Sequence, residues 1–165
     1  MVRFFLKFLL VQAVLFGLEL TPWAQAWFVR PWTDALAAIS ADIVRWFDPQ
    51  VIAHGNVLRS SRNGFAVAIE AGCNGVEATI VLIAAVLAFP APWRRKLVGL
   101  AVGILAVQGL NIVRVISLFY LGQWNFDAFE FAHRYVWQAL IMLDVLIVWL
   151  LWVRTLPPGA ALAPA

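Results

Sequence analysis

Residues 97–121 read LVGLAVGILAVQGLNIVRVISLFYL, an apolar run long enough to cross a lipid bilayer. A membrane-spanning helix needs about 20 mostly apolar residues, and Arg114 is the one charged side chain in this run. Runs of the same character predict further helices at residues 4–28, 74–89 and 133–153. The sequence therefore predicts an all-α integral membrane protein with a bundle of about four transmembrane helices.

The overall composition excludes a water-soluble globular protein. Of the 165 residues, 64% are hydrophobic and 13% are charged, and the mean hydropathy is +0.87. Soluble domains are about 45–50% apolar and about 25% charged, so this chain has too few polar side chains to cover a core in water. The net charge of +3 indicates anchoring charges at a membrane surface, and we expect membrane lipid rather than nucleic acid as a partner.

Residues 29–72 form the one sizeable segment that is predicted to lie outside the membrane. Within it, residues 33–47 have helical spacing and predict an interfacial helix. Its apolar side carries Leu36, Ile39, Ile43 and Phe47. Residues 51–59 and 65–69 predict the two strands of a small β-hairpin, because Asn63-Gly64 between them favours a tight turn.

The chain is predicted to be a single domain over residues 1–155. Residues 156–165 are rich in proline and small side chains, and we expect them to form a disordered tail. Residues 1–26 have two interpretations. They are either a retained helix or a signal peptide that is cleaved after Ala24-Gln-Ala26.

The distribution of lysine and arginine predicts the orientation. The ends of the apolar runs on one side are basic and carry no acidic residue, with Arg3, Lys7, Arg94, Arg95, Lys96 and Arg154. The other side mixes arginines with acidic residues. Because basic residues concentrate on the cytoplasmic side, we expect residues 29–72 and 122–132 to face outward, which in the inner membrane of a bacterium means the periplasm.

Three polar residues are predicted to meet at this outward face. Cys73, the only cysteine, lies in Glu70-Ala-Gly-Cys-Asn-Gly-Val-Glu77 where a polar stretch passes into an apolar helix. Arg114 lies near the outer end of the third predicted helix, and His133 opens the fourth. The alternating direction of the helices brings all three to one side of the membrane.

A thiol, an imidazole and a guanidinium together suggest the chemistry of a cysteine peptidase. A helix N-terminus favours a thiolate, a neighbouring imidazole can accept the thiol proton, and a guanidinium can stabilise an oxyanion. An arginine inside a span should be paired, and Glu77 and Asp144 are candidate partners. The predicted supporting residues are Glu70, Asn74, Gly75, Glu77 and Asn111.

No cofactor or metal site is predicted. The single cysteine and two histidines lack the spacing of metal ligands. The sequence contains neither a glycine-rich phosphate loop nor a dinucleotide fingerprint.

These residues resemble the exosortase/archaeosortase family of membrane cysteine transpeptidases. The matching motifs are Glu70-Ala-Gly-Cys73-Asn-Gly75, Asn111-Ile-Val-Arg114 and His133, in that order. The chain is similar to the short members, closest to exosortase H. The resemblance implies that Cys73 is the nucleophile, that Arg114 stabilises the transition state and that His133 is the general acid and base.

The resemblance also implies the substrate class. Family substrates are secreted proteins with a C-terminal sorting signal, which consists of a short motif, a transmembrane helix and a basic tail. The alternative is a non-catalytic membrane assembly factor for envelope or exopolysaccharide biogenesis. In that case Cys73 would be a packing residue and Arg114 a structural ion-pair residue.

Overall fold

The structure, a computed structural model, describes residues 2–157 and is mostly helical. Some helices run directly into one another through a π-helical turn. In chain order the elements are α1 (Val2–Glu19), α2 (Pro22–Ala24), the π turn Gln25–Val29, α3 (Arg30–Arg45), β1 (Val51–His54), β2 (Val57–Ser60), β3 (Ala66–Ala68), α4 (Val76–Ala88), α5 (Trp93–Trp124), α6 (Phe126–Phe131), the π turn Ala132–Val136 and α7 (Trp137–Arg154).

Within residues 2–157, two helical stretches are long and apolar enough to cross a membrane, so the predicted count of about four spans is not confirmed. They are α5 and the stretch Phe126–Arg154. A third span is possible if α1 and the helix Pro22–Arg45 form one, but these two meet at an angle of 69°. Helix α4 has 13 residues, or about 20 Å at 1.5 Å per residue, which is short of a bilayer core.

The predicted first helix, residues 4–28, is wrong in its second half. The chain turns after Glu19, and Thr21 caps a new helix by accepting a hydrogen bond from the backbone N–H of Ala24 at 3.2 Å. Pro22 occupies the first helical position, where its missing N–H costs nothing. The predicted interfacial helix 33–47 is therefore the end of a longer helix that begins at Pro22.

Helix α4 lies at the centre of the bundle and packs against α1, α5 and α7. The buried core between α4, α5 and α7 consists of Ala78, Leu82, Val86, Val107, Ile141, Val145 and Trp152. Gly99 lets α5 approach α7 closely, because a Cβ there would collide with the indole of Trp152. Leu156, in the predicted disordered tail, packs against this core, and residues 158–165 lie outside the described residues.

The predicted hairpin is instead a three-stranded antiparallel sheet with strand order β1-β2-β3. Residues 51–59 were predicted to be one strand but fold back at Gly55-Asn56, where His54 pairs with Val57 and Gly55 has a φ of +56°. A two-residue turn needs such left-handed backbone, which glycine adopts without strain. The predicted Asn63-Gly64 turn is present between β2 and β3.

The sheet packs on α3 and on the C-terminal half of α5. Their shared core contains Leu36, Ala37, Ala41, Val44, Val51, Leu58, Ile69, Val115 and Phe119. Of the predicted apolar side of α3, Leu36 is buried, whereas Ile39, Ile43 and Phe47 are exposed. The face of α3 that packs against the sheet lies next to this predicted apolar side, because small residues on that face allow close packing.

Candidate active site

Cys73 lies in a tight loop between β3 and α4. Its backbone N–H donates to the carbonyl of Glu70 at 2.9 Å, which closes a turn over residues 70–73. Gly72 has a φ of +81°, and its N–H donates to the Glu77 carboxylate at 2.7 Å. Glu77 thus fixes the backbone beside the thiol.

Asn74 ties this loop to the two neighbouring helices. Its side chain, which is 1% exposed, donates to the Thr33 hydroxyl at 3.1 Å and accepts from the Val76 N–H at 3.0 Å. Its carbonyl accepts a hydrogen bond from the Trp32 indole at 3.1 Å. The position of Cys73 is therefore set by both α3 and α4.

Gly75 allows α5 to lie directly against the loop. Its φ is +74°, and a Cβ at this position would lie 2.8 Å from Gln108 Oε1 and 3.1 Å from Asn111 Nδ2. The Gln108 amide donates to the Gly75 carbonyl at 3.1 Å and to the Thr79 hydroxyl at 2.9 Å. Both the backbone conformation and the available space require glycine at position 75.

His133 contacts the thiol directly. Its Nε2 lies 3.1 Å from Cys73 Sγ, and the ring tautomer determines which of the two donates the hydrogen bond. The imidazole stacks on Phe129 with ring centroids 5.7 Å apart and an interplanar angle of 1°. His133 was predicted to open its helix, but the helix begins at Phe126 and His133 lies in its π turn.

Arg114 is buried, with 2% of its surface exposed, and its guanidinium points at the thiol. Nη2 donates to Cys73 Sγ at 3.4 Å and Nη1 donates to the Gly72 carbonyl at 3.4 Å. Within residues 2–157 no side-chain carboxylate forms an ion pair with it. The predicted pairing with Glu77 or Asp144 is therefore wrong, because Glu77 binds the loop backbone and Asp144 Oδ2 has no hydrogen-bond partner in the same range.

These side chains open into a cavity of about 240 Å³. Its walls come from β3, the Cys73 loop, α5 and the α6 region. The lining residues are Val67, Ala68, Ile69, Glu70, Ala71, Cys73, Arg114, Val115, Leu118, Phe129 and His133. A substrate in this cavity would contact the thiol, the imidazole and the guanidinium at once.

The comparison with protein families identifies the chain. The family described as transmembrane exosortase matches residues 3–153, which is nearly the whole chain. This protein belongs to the transmembrane exosortase family. The predicted resemblance to this family, including its short form, is confirmed. The family match also supports the prediction that the chain is a membrane protein. No curated protein and no solved structure matches the chain.

In this protein, the surroundings of Cys73 favour the neutral thiol over the thiolate. Burial raises the pKa of Cys73, the Arg114 guanidinium opposes that increase, and the carboxylates of Glu77 and Glu70 add to it. A neutral thiol needs a base before it can act as a nucleophile. His133 Nε2, 3.1 Å away, is within reach of its proton.

Behind the thiol, the exosortase carries a buried polar stripe on α5. Asn111 is 0% exposed, and among residues 2–157 neither atom of its amide group has a hydrogen-bond partner. The same holds for Gln108 Oε1 and Arg114 Nε. Asn111 lies beneath Gly75 and does not contact Cys73 through a hydrogen bond. Among the described residues, no group of three or more His, Cys, Asp or Glu side chains could hold a metal ion.

Phe129, Trp32 and Thr33 are site residues that the sequence analysis missed. Phe129 fell in a predicted loop, although it precedes His133 by four residues, which is the spacing of neighbours on a helix face. Trp32 and Thr33 lie about 40 residues before Asn74 and carry no local signal of their contact with it.

Proposed function

We propose that this chain is a membrane-embedded cysteine protease or transpeptidase that cleaves the C-terminal sorting signals of secreted proteins. The observation that carries the proposal is the position of one sulfur atom: Cys73 Sγ lies 3.1 Å from His133 Nε2 and 3.4 Å from Arg114 Nη2. Members of the exosortase family are generally cysteine transpeptidases, which supports the same chemistry.

The first half of the reaction forms a thioester. His133 Nε2 takes the Cys73 proton, and the sulfur attacks the scissile carbonyl carbon, so that the carbonyl electron pair moves onto oxygen. Arg114 stabilises the negative charge of the thiolate or of the oxyanion. As the carbonyl re-forms, the C–N bond breaks and the imidazolium gives its proton to the leaving amine.

The second half regenerates the thiol. An acceptor amine or water attacks the thioester carbonyl, and His133 removes a proton from the attacking group. The C–S bond breaks, the product leaves with the acceptor, and the sulfur recovers a proton. Transfer to an amine makes the protein a transpeptidase, and transfer to water makes it a protease.

The substrate is proposed to be a secreted protein with a sorting motif, a transmembrane helix and a basic tail. Its helix would lie beside the bundle, with the motif at the outer surface of a bacterial inner membrane. The Cys73 loop and the sheet lie at the end of α5 opposite Arg94, Arg95 and Lys96. Because basic clusters stay in the cytoplasm, this supports an active site that faces the periplasm.

A co-expression assay tests the proposal. The protein, as wild type or Cys73→Ala, is expressed with a secreted reporter that carries a candidate C-terminal sorting signal from the same genome. We expect the reporter to lose its signal with the wild type and to keep it with Cys73→Ala, because only the wild type has the nucleophile. Equal processing by both proteins would contradict the proposal and favour the non-catalytic assembly factor.

A further inference from the structure

One edge of the sheet carries backbone groups that pair with no strand. Within residues 2–157, β3 has only β2 beside it. The Ser60 N–H donates to the Phe65 carbonyl at 2.9 Å, and the Ile69 N–H donates to the Asn56 carbonyl at 2.9 Å. Because backbone groups of an antiparallel strand alternate in direction, the N–H and C=O groups of Ala66 and Ala68 point away from β2, toward the free edge.

This free edge adjoins the cavity of the thiol. Ala68 and the residues that follow β3 line the same cavity as Cys73, with Phe129 and His133 among its other lining residues. Cys73 follows Ala68 by five positions, so a strand laid along β3 would reach the sulfur. The sheet therefore has an open edge beside the cavity that holds the thiol.

The edge lacks the features that usually block pairing. Native proteins protect exposed edges with charged side chains, proline or bulges, whereas β3 reads Ala66-Val67-Ala68. Ala66 and Ala68 are exposed and small, while Val67 packs toward the core under the sheet. An extended peptide could approach this edge without steric hindrance.

We propose that the segment of the substrate next to the scissile bond binds as a fourth strand on β3, through hydrogen bonds to the backbones of Ala66 and Ala68. The inference rests on the proposed peptidase function and assigns its substrate-positioning element. Donors and acceptors that repeat every second residue match an extended polypeptide. Binding through the backbone would hold the scissile carbonyl beside Cys73 whatever the side chains of the sorting motif.

A pair of proline variants tests the edge. Ala68→Pro removes an outward N–H from β3 and leaves the bonds to β2 in place, and proline is tolerated on sheet edges. Ala53→Pro, on β1 at the opposite edge of the sheet, is the matched control. His54 is hydrogen-bonded to Val57 of β2, so the N–H of the preceding residue, Ala53, points outward from the sheet. We expect reporter cleavage to fall about tenfold with Ala68→Pro and less than about twofold with Ala53→Pro. The rate at which a charged methanethiosulfonate labels Cys73 should stay at the wild-type value in both variants.

A cross-linking experiment tests the pairing without catalysis. In a Cys73→Ser background, Ala68→Cys leaves one thiol at the edge, and the reporter carries single cysteines stepped through the segment before its cleavage point. Facing residues of neighbouring strands have Cα atoms about 4.5–5.5 Å apart, within the reach of a disulfide. We expect the strongest disulfide at the reporter position that faces Ala68, weaker ones two residues to either side and none at the positions between them. Ala53→Cys in the same background should form none.

The two proposals fail in different ways. If the wild type leaves the reporter intact, the peptidase function is wrong, and cross-links with a period of two would still establish strand addition. If the wild type cleaves the reporter but Ala68→Pro cleaves as fast as Ala53→Pro, strand addition on β3 is wrong and the peptidase function stands. If Ala68→Pro loses labelling of Cys73, its fold is disturbed. The cross-linking pattern then decides, and disulfides without a two-residue period overturn the proposal.

Discussion

Cys73 lies between two opposing electrostatic influences. Burial raises the pKa of its thiol, and the Arg114 guanidinium at 3.4 Å lowers it. The net effect favours the neutral thiol, so the proposed nucleophile needs His133 to accept its proton. Among residues 2–157 no carboxylate forms an ion pair with Arg114, so its positive charge is directed at the thiol.

Removing the Arg114 charge should make the thiol less reactive. In Arg114→Gln the pKa of Cys73 rises further, so fewer thiolates exist at neutral pH and alkylation by iodoacetamide slows several-fold at pH 7.5. The alkylation rate should increase with pH in both proteins, with the midpoint of the variant at higher pH. Arg45→Gln is the control, since Arg45 pairs with Asp42 on the surface. Identical pH profiles for Arg114→Gln and wild type would show that Arg114 does not act on the sulfur.

Gly75 should tolerate no side chain. Gly75→Ala would place a Cβ 2.8 Å from Gln108 Oε1 in left-handed backbone, so we expect the free energy of unfolding to fall by about 2 kcal/mol or more. Thermal unfolding in detergent measures the change. Gly109→Ala, on the same stretch of α5 but with open space around it, should be neutral or slightly stabilising. Similar losses in both variants would contradict this account of Gly75.

The helix Phe126–Arg154 places His133, the proposed general base, on a continuous element rather than on a loop. Asn125 caps it by accepting the Ala128 N–H at 3.0 Å, and the π turn Ala132–Val136 follows directly on α6. Such turns widen a helix locally and recur at functional sites. Here the turn carries His133, while Phe129 in the preceding turn fixes the plane of its ring.

Phe129 should therefore act as a positioning residue for His133. In Phe129→Ala the imidazole loses its stacking partner, so we expect kcat for reporter cleavage to fall about tenfold. Phe131→Ala is the control, because Phe131 is exposed and packs against Tyr135 at an interplanar angle of 43° instead. Equal kcat values for the two variants would show that stacking does not position the base.

The two buried cores of the molecule have different structural roles. The core of α4, α5 and α7 holds the apolar bundle together, and the core under the sheet supports the Cys73 loop. Helix α5 belongs to both, so the arginine that serves the site is held by the longest helix of the chain. Arg114 follows Arg94 by 20 positions on α5, so the basic cluster and the thiol lie about 30 Å apart along this helix.

This division predicts how intact cells label the protein. Cys73 should react with a charged, membrane-impermeant thiol reagent that is added from the periplasmic side, because the cluster Arg94-Arg95-Lys96 should stay in the cytoplasm. In a Cys73→Ser background, Arg94→Cys should be protected in intact cells and react only after lysis. Labelling of Arg94→Cys in intact cells would contradict the proposed orientation and indicate the opposite one.

The amino-acid sequence was sufficient to identify the membrane class and the family, and it predicted that Cys73, Arg114 and His133 lie close together, as they do in the structure. Apolar runs, a lone cysteine between glycines and an arginine inside a span are local patterns, and local patterns can be read without a fold. The Asn63-Gly64 turn was found in the same way. The turn at Gly55-Asn56 was missed, because β-branched and apolar residues on both sides resemble one continuous strand.

The geometry of the site depended on contacts between residues far apart in the chain. Cys73 and His133 are 60 positions apart, and Arg114 is 41 positions from the sulfur it contacts. The partner of a buried charge is set by the packing of whole helices, so Arg114 points at a thiol rather than at Glu77. The same packing places the free edge of β3 beside the cavity, since only the docking of the sheet onto α3 and α5 defines which edge remains open.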